Sequence, residues 1–260
     1  MSFLFKKRDY EEFLGGRDES AHVLMEVTCQ LSAPVICDAA GGLHLDSIMA
    51  FGAFIGLPRK EREELPPMNA PWSGEFSLPL SVWTAPNPGG VELDPRMLAD
   101  GDVWGWCASD NLTPWEHRAR THVRGPTATR TMLRYGNKRR VNVAVGEFKP
   151  VNIPYGTYWP ADGELRWLTH GNPTEALRLL KNVESIGKRH NTGHGNISLT
   201  PDLTPAWSVT PLGGEWSHKD EFGNLIRRIP AKPGAPARLS TVRAPYHHRS
   251  RQMPARGPGC

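Results

Sequence analysis

The sequence predicts an α+β fold, a ferredoxin-like or RRM-like domain with the element order βαββαβ. Three observations carry this expectation. A strand pattern leads into a helix pattern near the N-terminus, and the same succession returns from residue 164. Strand-like and turn-like segments fill most of the remainder, in keeping with 26 Gly and 24 Pro among 260 residues. Between the two halves lies a basic stretch that reads as an insertion into this frame. A chain of this length is long enough to bury a sizeable core.

Residues 1–20 are charged, end in GGRDES and read as a peripheral arm. The first strand is VLMEVTCQLSAPVI, Val23–Ile36, where alternating Val27, Cys29 and Leu31 supply one buried face. Pro34 ends it or places it near an edge. A Gly-Gly turn follows, and then Leu43, Leu45, Ile48, Met49, Phe51 and Phe54 or Ile55 recur at helical spacing until Gly56 and Pro58 stop the helix. His44 and Asp46 fall at the start of that helix, where a carboxylate suits the positive end of the helix dipole. Residues 57–75, with their KEREE run and prolines, read as loop. GEFSLPLSVWTA and VWGWCASD (Val103–Asp110) read as strands, with Trp104 and Trp106 as packing residues.

From His117 to Gly146 the chain has no acidic residue, yet it carries Arg118, Arg120, Arg124, Arg130, Arg134, Lys138, Arg139 and Arg140. A solvated surface usually mixes signs. Eight basic residues without a counter-charge point instead to a polyanion such as nucleic acid. VNVAV alternates like a strand and RYGNKRR holds turn signals, so residues 110–160 are expected to form a long inserted β-hairpin. Tyr135, Tyr155, Tyr158 and Trp159 either stack on bases or anchor the hairpin, with Trp159 read as core.

ELRWLTHGN is a strand ending in a turn, and PTEALRLLKNVESIG is the second helix. Pro173 suits its first turn, Glu175 its dipole, and Gly187 its C-cap. Ala176, Leu177, Leu179, Leu180 and Val183 form its apolar face. NISL and WSVTPL read as strands, which closes the domain at about residue 226. Residues 227–260 are rich in Pro and Arg, contain no acid and read as a disordered or surface-hugging basic tail.

The stretch IGKRHNTGHGNISL raises the functional question. A phosphate-binding P-loop or a dinucleotide GxGxxG opens a helix. Here the glycines follow a helix and precede a strand, so both readings fail on context. His190 and His194 stand four apart, as on zinc-binding helices, but Gly193 and Gly195 break such a helix and no carboxylate lies between. No metal or other cofactor is expected. Three readings remain open. The segment is a turn whose glycines permit positive φ. Alternatively, it is a loop that lets a polyanion approach main-chain N–H groups. Lys188 and Arg189 would then overcome the unfavourable dipole of the preceding helix end. Last, its histidines are an acid–base pair for RNA cleavage, which His22 joins only if it lies beside the loop.

Taken together, PVICDAAGGLHLDSIMAFGAF and THGNPTEALRLLKNVESIGKRHNTGHGNISL resemble the RAMP superfamily of CRISPR proteins. In that superfamily a strand leads into an LD-containing helix, and a later helix ends in an IGK-like turn and a GxG loop. The layout is similar to the Cas five family, most of all to its version in type IV effector complexes, over roughly residues 23–210. The two end motifs carry the resemblance.

It implies a non-catalytic subunit that caps the 5′ handle of the guide RNA, with the basic insert as its thumb. The implied partners are guide RNA, the backbone-filament subunit, the large subunit and target DNA. The implied RNA-binding residues are Gly187, Lys188, Arg189, His190, Asn191, Gly193, His194 and Gly195, together with the basic residues of the insert. The alternative is a metal-independent endoribonuclease acting on repeat RNA, with His190, His194 or His22 as acid and base and Lys188 stabilising the phosphorane.

Four cysteines without CxxC spacing suggest reduced thiols. The N-terminus has no apolar run of signal-peptide length and no segment is apolar enough to span a membrane, so a cytoplasmic setting is expected.

Overall fold

The computed structural model describes residues 19–37, 42–65, 76–89, 92–94, 97–123, 152–188, 193–232, 234–242 and 251–258, with the backbone alone for 117–123 and 152–155. Its strands are β1 (Val23–Gln30), β2 (Val35–Ile36), β3 (Val82–Ala85), β4 (Leu98–Ala99), β5 (Asp102–Trp106), β6 (Trp115–Val123), β7 (Asn152–Pro160), β8 (Glu164–Gly171), β9 (Trp207–Pro211), β10 (Ile229–Pro230), β11 (Arg238–Ser240) and β12 (Met253–Arg256). Its helices are α1 (Leu45–Ile55), α2 (Arg59–Glu64) and α3 (Pro173–Leu180).

The central sheet has β1 between β8 and β9, antiparallel to both. Val27 pairs with Trp167 on one side and Val209 on the other. Period-two alternation sends Met25, Val27 and Cys29 inward with Leu165, Trp167 and Trp207. The far side of β8 is also taken. Its His170 N–H donates to the Cys107 carbonyl at 2.9 Å, while Ser109 and Leu112 donate to Leu168 and Arg166, each at 2.8 Å. Residues 107–112 therefore fill a fourth place, and the order becomes β9, β1, β8, 107–112. With α1 following β1 and α3 following β8, this is a ferredoxin-like arrangement of an α+β domain.

The helices pack together on the inner face. A Cβ on Gly52 of α1 would run into the Leu179 carbonyl of α3, and the Asn182 amide donates to the Gly52 carbonyl at 3.1 Å. The start of α1 is tied to the sheet by the Trp167 indole, which donates to the Leu43 carbonyl at 2.9 Å, and by a buried His44–Asp110 pair. Trp104 and Trp106 are buried in the same core, and Trp159 packs against it. At the other helix, Asn172 caps α3 by accepting from Thr174 and Glu175 N–H at 3.1 and 3.2 Å, with Pro173 in the first turn.

Several expectations need correction. Val23–Ile36 is not one strand, because the chain turns after Leu31 and Val35–Ile36 joins a different sheet with β7 and β6. The charged run after Pro58 is a short exposed helix, α2, supported by an Arg59–Glu63 ion pair at 2.7 Å. The second helix stops at Leu180, so Gly187 is not its C-cap. Val183 is buried, and its carbonyl accepts from the Trp207 indole at 3.0 Å. Past Leu180 the bonds tighten, with Asn182 N–H donating to the Leu179 carbonyl at 3.2 Å and Val183 N–H to the Leu180 carbonyl at 2.8 Å.

The expected loose tail is also packed where it is described. β10, β12 and β11 form a sheet, and Val242, Met253 and Ala255 bury against Trp83, Met97 and Val103 in a second core. Arg227 is enclosed there. It lies 4.7 Å from the Trp83 ring centre and donates to the carbonyls of Ala108 at 3.2 Å and Val242 at 2.8 Å. The arginines of a basic tail can thus serve as internal struts when carbonyls and an aromatic face receive them. No helix among the described residues is long and apolar enough to cross a membrane. The arm at residues 1–18 lies outside the described residues.

Two consequences are measurable. Replacing Gly52 by Ala forces α1 and α3 apart and should cost about 1–3 kcal/mol in urea unfolding. His218 packs edge-on against Trp83, and burial together with the nearby Arg227 charge lowers its pKa to about 4. The unfolded chain therefore binds a proton that the fold refuses between about pH 6.5 and 4. His218 favours folding fully above pH 6.5, and that contribution falls away as the pH drops through this window. A His218→Gln variant should show a flatter stability profile there.

Candidate nucleic-acid interface

The glycine loop is held by its two ends. Ile186 N–H donates to the Gly195 carbonyl at 2.9 Å, and Ile197 N–H to the Glu184 carbonyl at 3.0 Å, which makes a narrow hairpin base. That base is bonded to the chain leaving β1. Ser198 N–H donates to the Gln30 carbonyl and Gly195 N–H to the Pro34 carbonyl, each at 2.8 Å. Lys188 N–H donates to the Ile36 carbonyl at 2.6 Å, so the loop's first residues run along β2.

Two of the three glycines answer to this packing. Gly187 has φ +79°, and a Cβ there would sit 2.6 Å from both the Ile36 carbonyl and the Val35 side chain. Gly195 has φ +66°, and a Cβ would collide with the Ile186 carbonyl. Gly193 differs: it has φ +82°, is exposed and has open space where a side chain would be. Main chain at Gly193 is accessible in the way that close approach of a polyanion requires. Lys188 is exposed beside the loop base, and His194 is half-buried.

The opposite edge of β2 meets the hairpin. Val35 pairs with Tyr158 and Ile36 with Thr157 of β7, and Thr157 pairs with Arg118 of β6. Main-chain pairing thus runs Lys188, Ile36, Thr157, Arg118 in one row. Three strand spacings separate its ends, about 14 Å. Arg120 follows two residues on, opposite Tyr155. The strands β6 and β7 pair from Trp115↔Pro160 to Val123↔Asn152, with Arg118 and Arg120 of the basic run in β6. The insert residues Arg124, Arg130, Arg134, Lys138, Arg139 and Arg140, and the loop residues Arg189, His190 and Asn191, lie outside the described residues. Of the candidate aromatics, Tyr158 packs edge-on to Trp115 at 5.6 Å between ring centres, an anchoring role at the hairpin base.

His22 is not beside the loop. It precedes β1, whereas the loop bonds to the chain beyond the other end of that strand. Eight residues of extended strand, about 27 Å, separate the two. His22 instead shares the Ser81 hydroxyl with His170, with ring nitrogens 2.8 and 2.7 Å from Oγ. Ser81 is buried, and the cluster clamps the turn before β1 to the end of β8. Sequence reasoning missed this cluster because its three members are supplied by distant segments without a shared spacing.

The open face of the central sheet is poorly suited to stacking bases. It presents Leu24, Glu26, Thr28 and Gln30 from β1 and Glu164, Arg166, Leu168 and His170 from β8. Arg166 pairs with Glu26 at 3.3 Å, and Gln30 donates to Glu164 at 3.0 Å. RRM domains that read RNA on this face use aromatic rings there; these two strands offer none. Among the described residues, no group of three or more His, Cys, Asp or Glu could hold a metal ion.

No family model matches the chain, and no curated protein matches it. One solved structure with similarity is a chain of the cryo-EM structure of the type III-B Cmr-beta bound to cognate target RNA. The TM-score is 0.34 at 10% sequence identity, over 78% of this chain and 66% of that chain, just under two thirds of its length. Likeness at this level shows neither family nor function.

Gly195→Ala tests the loop base. The methyl group meets the Ile186 carbonyl and the backbone is held at positive φ, so thermal unfolding should fall by several degrees, whereas Gly193→Ala should cost little beyond its φ strain.

Proposed function

We propose that this chain holds RNA without cutting it, as the subunit that caps the 5′ handle of guide RNA in a type IV-like CRISPR ribonucleoprotein. The observation that supports this reading most directly is the β2 junction. One two-residue strand carries the glycine loop on one edge and the base of the basic hairpin on the other. The loop and the hairpin base, 31 residues apart from Thr157 to Lys188, are thereby fixed to a common strand that lies more than 120 residues earlier in the chain.

In this reading the loop supplies main-chain donors at Gly193 and charge at Lys188 and Arg189, and the hairpin supplies the longer basic surface. The acid-bearing sheet face is left out of RNA contact. Phosphate neutralisation provides the affinity, and pairing by the guide reads the target. The backbone-filament subunit, the large subunit and target DNA are the further partners this role requires. The chain contributes shape and electrostatics and turns over no substrate.

Binding to guide RNA should weaken steeply with salt. A Lys188→Ala/Arg189→Ala double variant should flatten the slope of log K against log salt by about 1.4, the value for two single-strand phosphate contacts. Arg59→Ala, on the exposed helix α2, should leave the slope unchanged. Equal slopes for the double variant and the parent protein would refute the role of the loop. Site-specific cleavage of repeat RNA in chelator, abolished by His194→Ala, would overturn the non-catalytic reading.

A further inference from the structure

The segment between β9 and β10 is a hairpin held down by aromatic rings. Its chain leaves β9 at Gly213 and Gly214, both at positive φ, +74° and +89°. A Cβ on Gly213 would meet nothing within 4 Å, and one on Gly214 only the Leu24 side chain, at 3.9 Å. This corner can therefore bend without displacing packed atoms. Beyond it, Ile226 N–H donates to the His218 carbonyl at 2.9 Å, Lys219 pairs with Leu225, and Asp220 N–H donates to the Asn224 carbonyl at 2.9 Å. Ser217, Lys219, Glu221 and Phe222 are exposed. The far arm is pinned, because the Ile226 carbonyl accepts from Asp110 N–H at 2.8 Å and Arg227 is enclosed next to it. The near arm rests on rings. Trp216 packs against the second core, and the His218 ring stands perpendicular to Trp83 at 5.4 Å and to Trp216 at 6.0 Å between centres.

That packing encloses polar atoms at a cost. Trp216 Nε1 and His218 Nδ1 are buried, and neither has a hydrogen-bond partner among the described residues. Swinging the near arm outward would return both to water, so ring burial is opposed by their desolvation. A proton on His218 tips this balance. An imidazolium carries hydrogen on both nitrogens, which makes Nδ1 a charged donor with no acceptor. Arg227, over Trp83 at 4.7 Å from the ring centre, is the charged group that bears on His218; its ring neighbours Trp83 and Trp216 carry no charge. Burial first, and the Arg227 charge second, lower the His218 pKa to about 4.

We infer that residues 213–226 form an acid-released strap, closed over the second core while His218 is neutral and swung outward about Gly213–Gly214 once His218 is protonated. The strap withdraws His218 from Trp83 and Trp216 from the second core, and the tie from Ile226 to Asp110 keeps the far arm in place. In the open strap His218 takes its proton near pH 6.5, and in the closed one near 4. The opening constant therefore rises about tenfold for each pH unit of acidification between those values. The inference does not depend on RNA binding.

The test is a fluorine NMR titration of the full chain labelled with fluorotryptophan. The Trp216 and Trp167 resonances are assigned by their loss in Trp216→Phe and Trp167→Phe. As the pH falls from 6.5 towards 4, Trp216 should gain the solvent isotope shift of an exposed indole, while Trp167 in the central core keeps that of a buried one. The imidazole proton resonances of His218, followed in the parent chain, should titrate with the same midpoint as the Trp216 change. In His218→Gln, Trp216 should stay buried throughout. A Trp216 change shared by Trp167 would mean that the whole domain unfolds, and would overturn the inference. So would a Trp216 that stays buried while His218 titrates, two different midpoints, or a His218→Gln chain that opens as the parent does.

Discussion

Main-chain pairing at Val35 and Ile36 ties the glycine loop to the β6–β7 hairpin. The Ile36 carbonyl receives the Lys188 N–H, and on its other edge the same strand pairs with Tyr158 and Thr157. Remove this two-residue strand and the glycine loop is no longer attached to the hairpin that carries the basic insert. Both neighbours depend on close approach. Gly187 lacks a side chain because the Ile36 carbonyl and Val35 occupy its space, and Ile36 itself is buried. Main-chain pairing gives a stiffer coupling than side-chain contacts would, because it constrains strand spacing and register together.

The central sheet supplies the platform for that junction. β1 is buried on its inner side by α1 and α3, and its chain continues past Gln30 into the turn that presents β2. The second core, built around Trp83 and the tail residues Val242, Met253 and Ala255, extends the platform on the side of β5. Arg227 joins the two, with its guanidinium against Trp83 and its donors on the carbonyls of Ala108 and Val242. A buried guanidinium is tolerated because carbonyls and an aromatic ring surround it.

The frame of the fold was legible wherever periodicity and capping agree. Alternation in β1, the short strand pattern of ELRWLTHGN, helical spacing in α1 and the Pro173 start of α3 are local signals, and the structure follows them. What depended on distant partners was not legible. Pro34 marks a break, but nothing in its neighbourhood says that the next two residues join β7. Val183 continues the helical spacing of α3, yet it lies past the helix end, where its carbonyl accepts from the distant Trp207 indole. Arginine in the tail resembles solvated charge until Ala108 and Val242 are seen to receive it. At the candidate site, the sequence leaves the glycines open between a turn at positive φ and close approach of a polyanion. The structure gives Gly187 and Gly195 to packing and leaves Gly193 with the accessible backbone. His22 was separable from the loop only once the direction of β1 was known.

The position of β1 has a consequence for biosynthesis. Its Val27 pairs with Trp167 and Val209, so both neighbours are made long after it. At ordinary translation rates, roughly 10–40 s pass before the last of them leaves the ribosome. During that time an apolar strand has two open edges, the condition under which chains pair wrongly with one another. Such a topology folds slowly, because distant segments must meet before any sheet forms. Until residue 209 has emerged, mispairing of the nascent β1 therefore competes with folding.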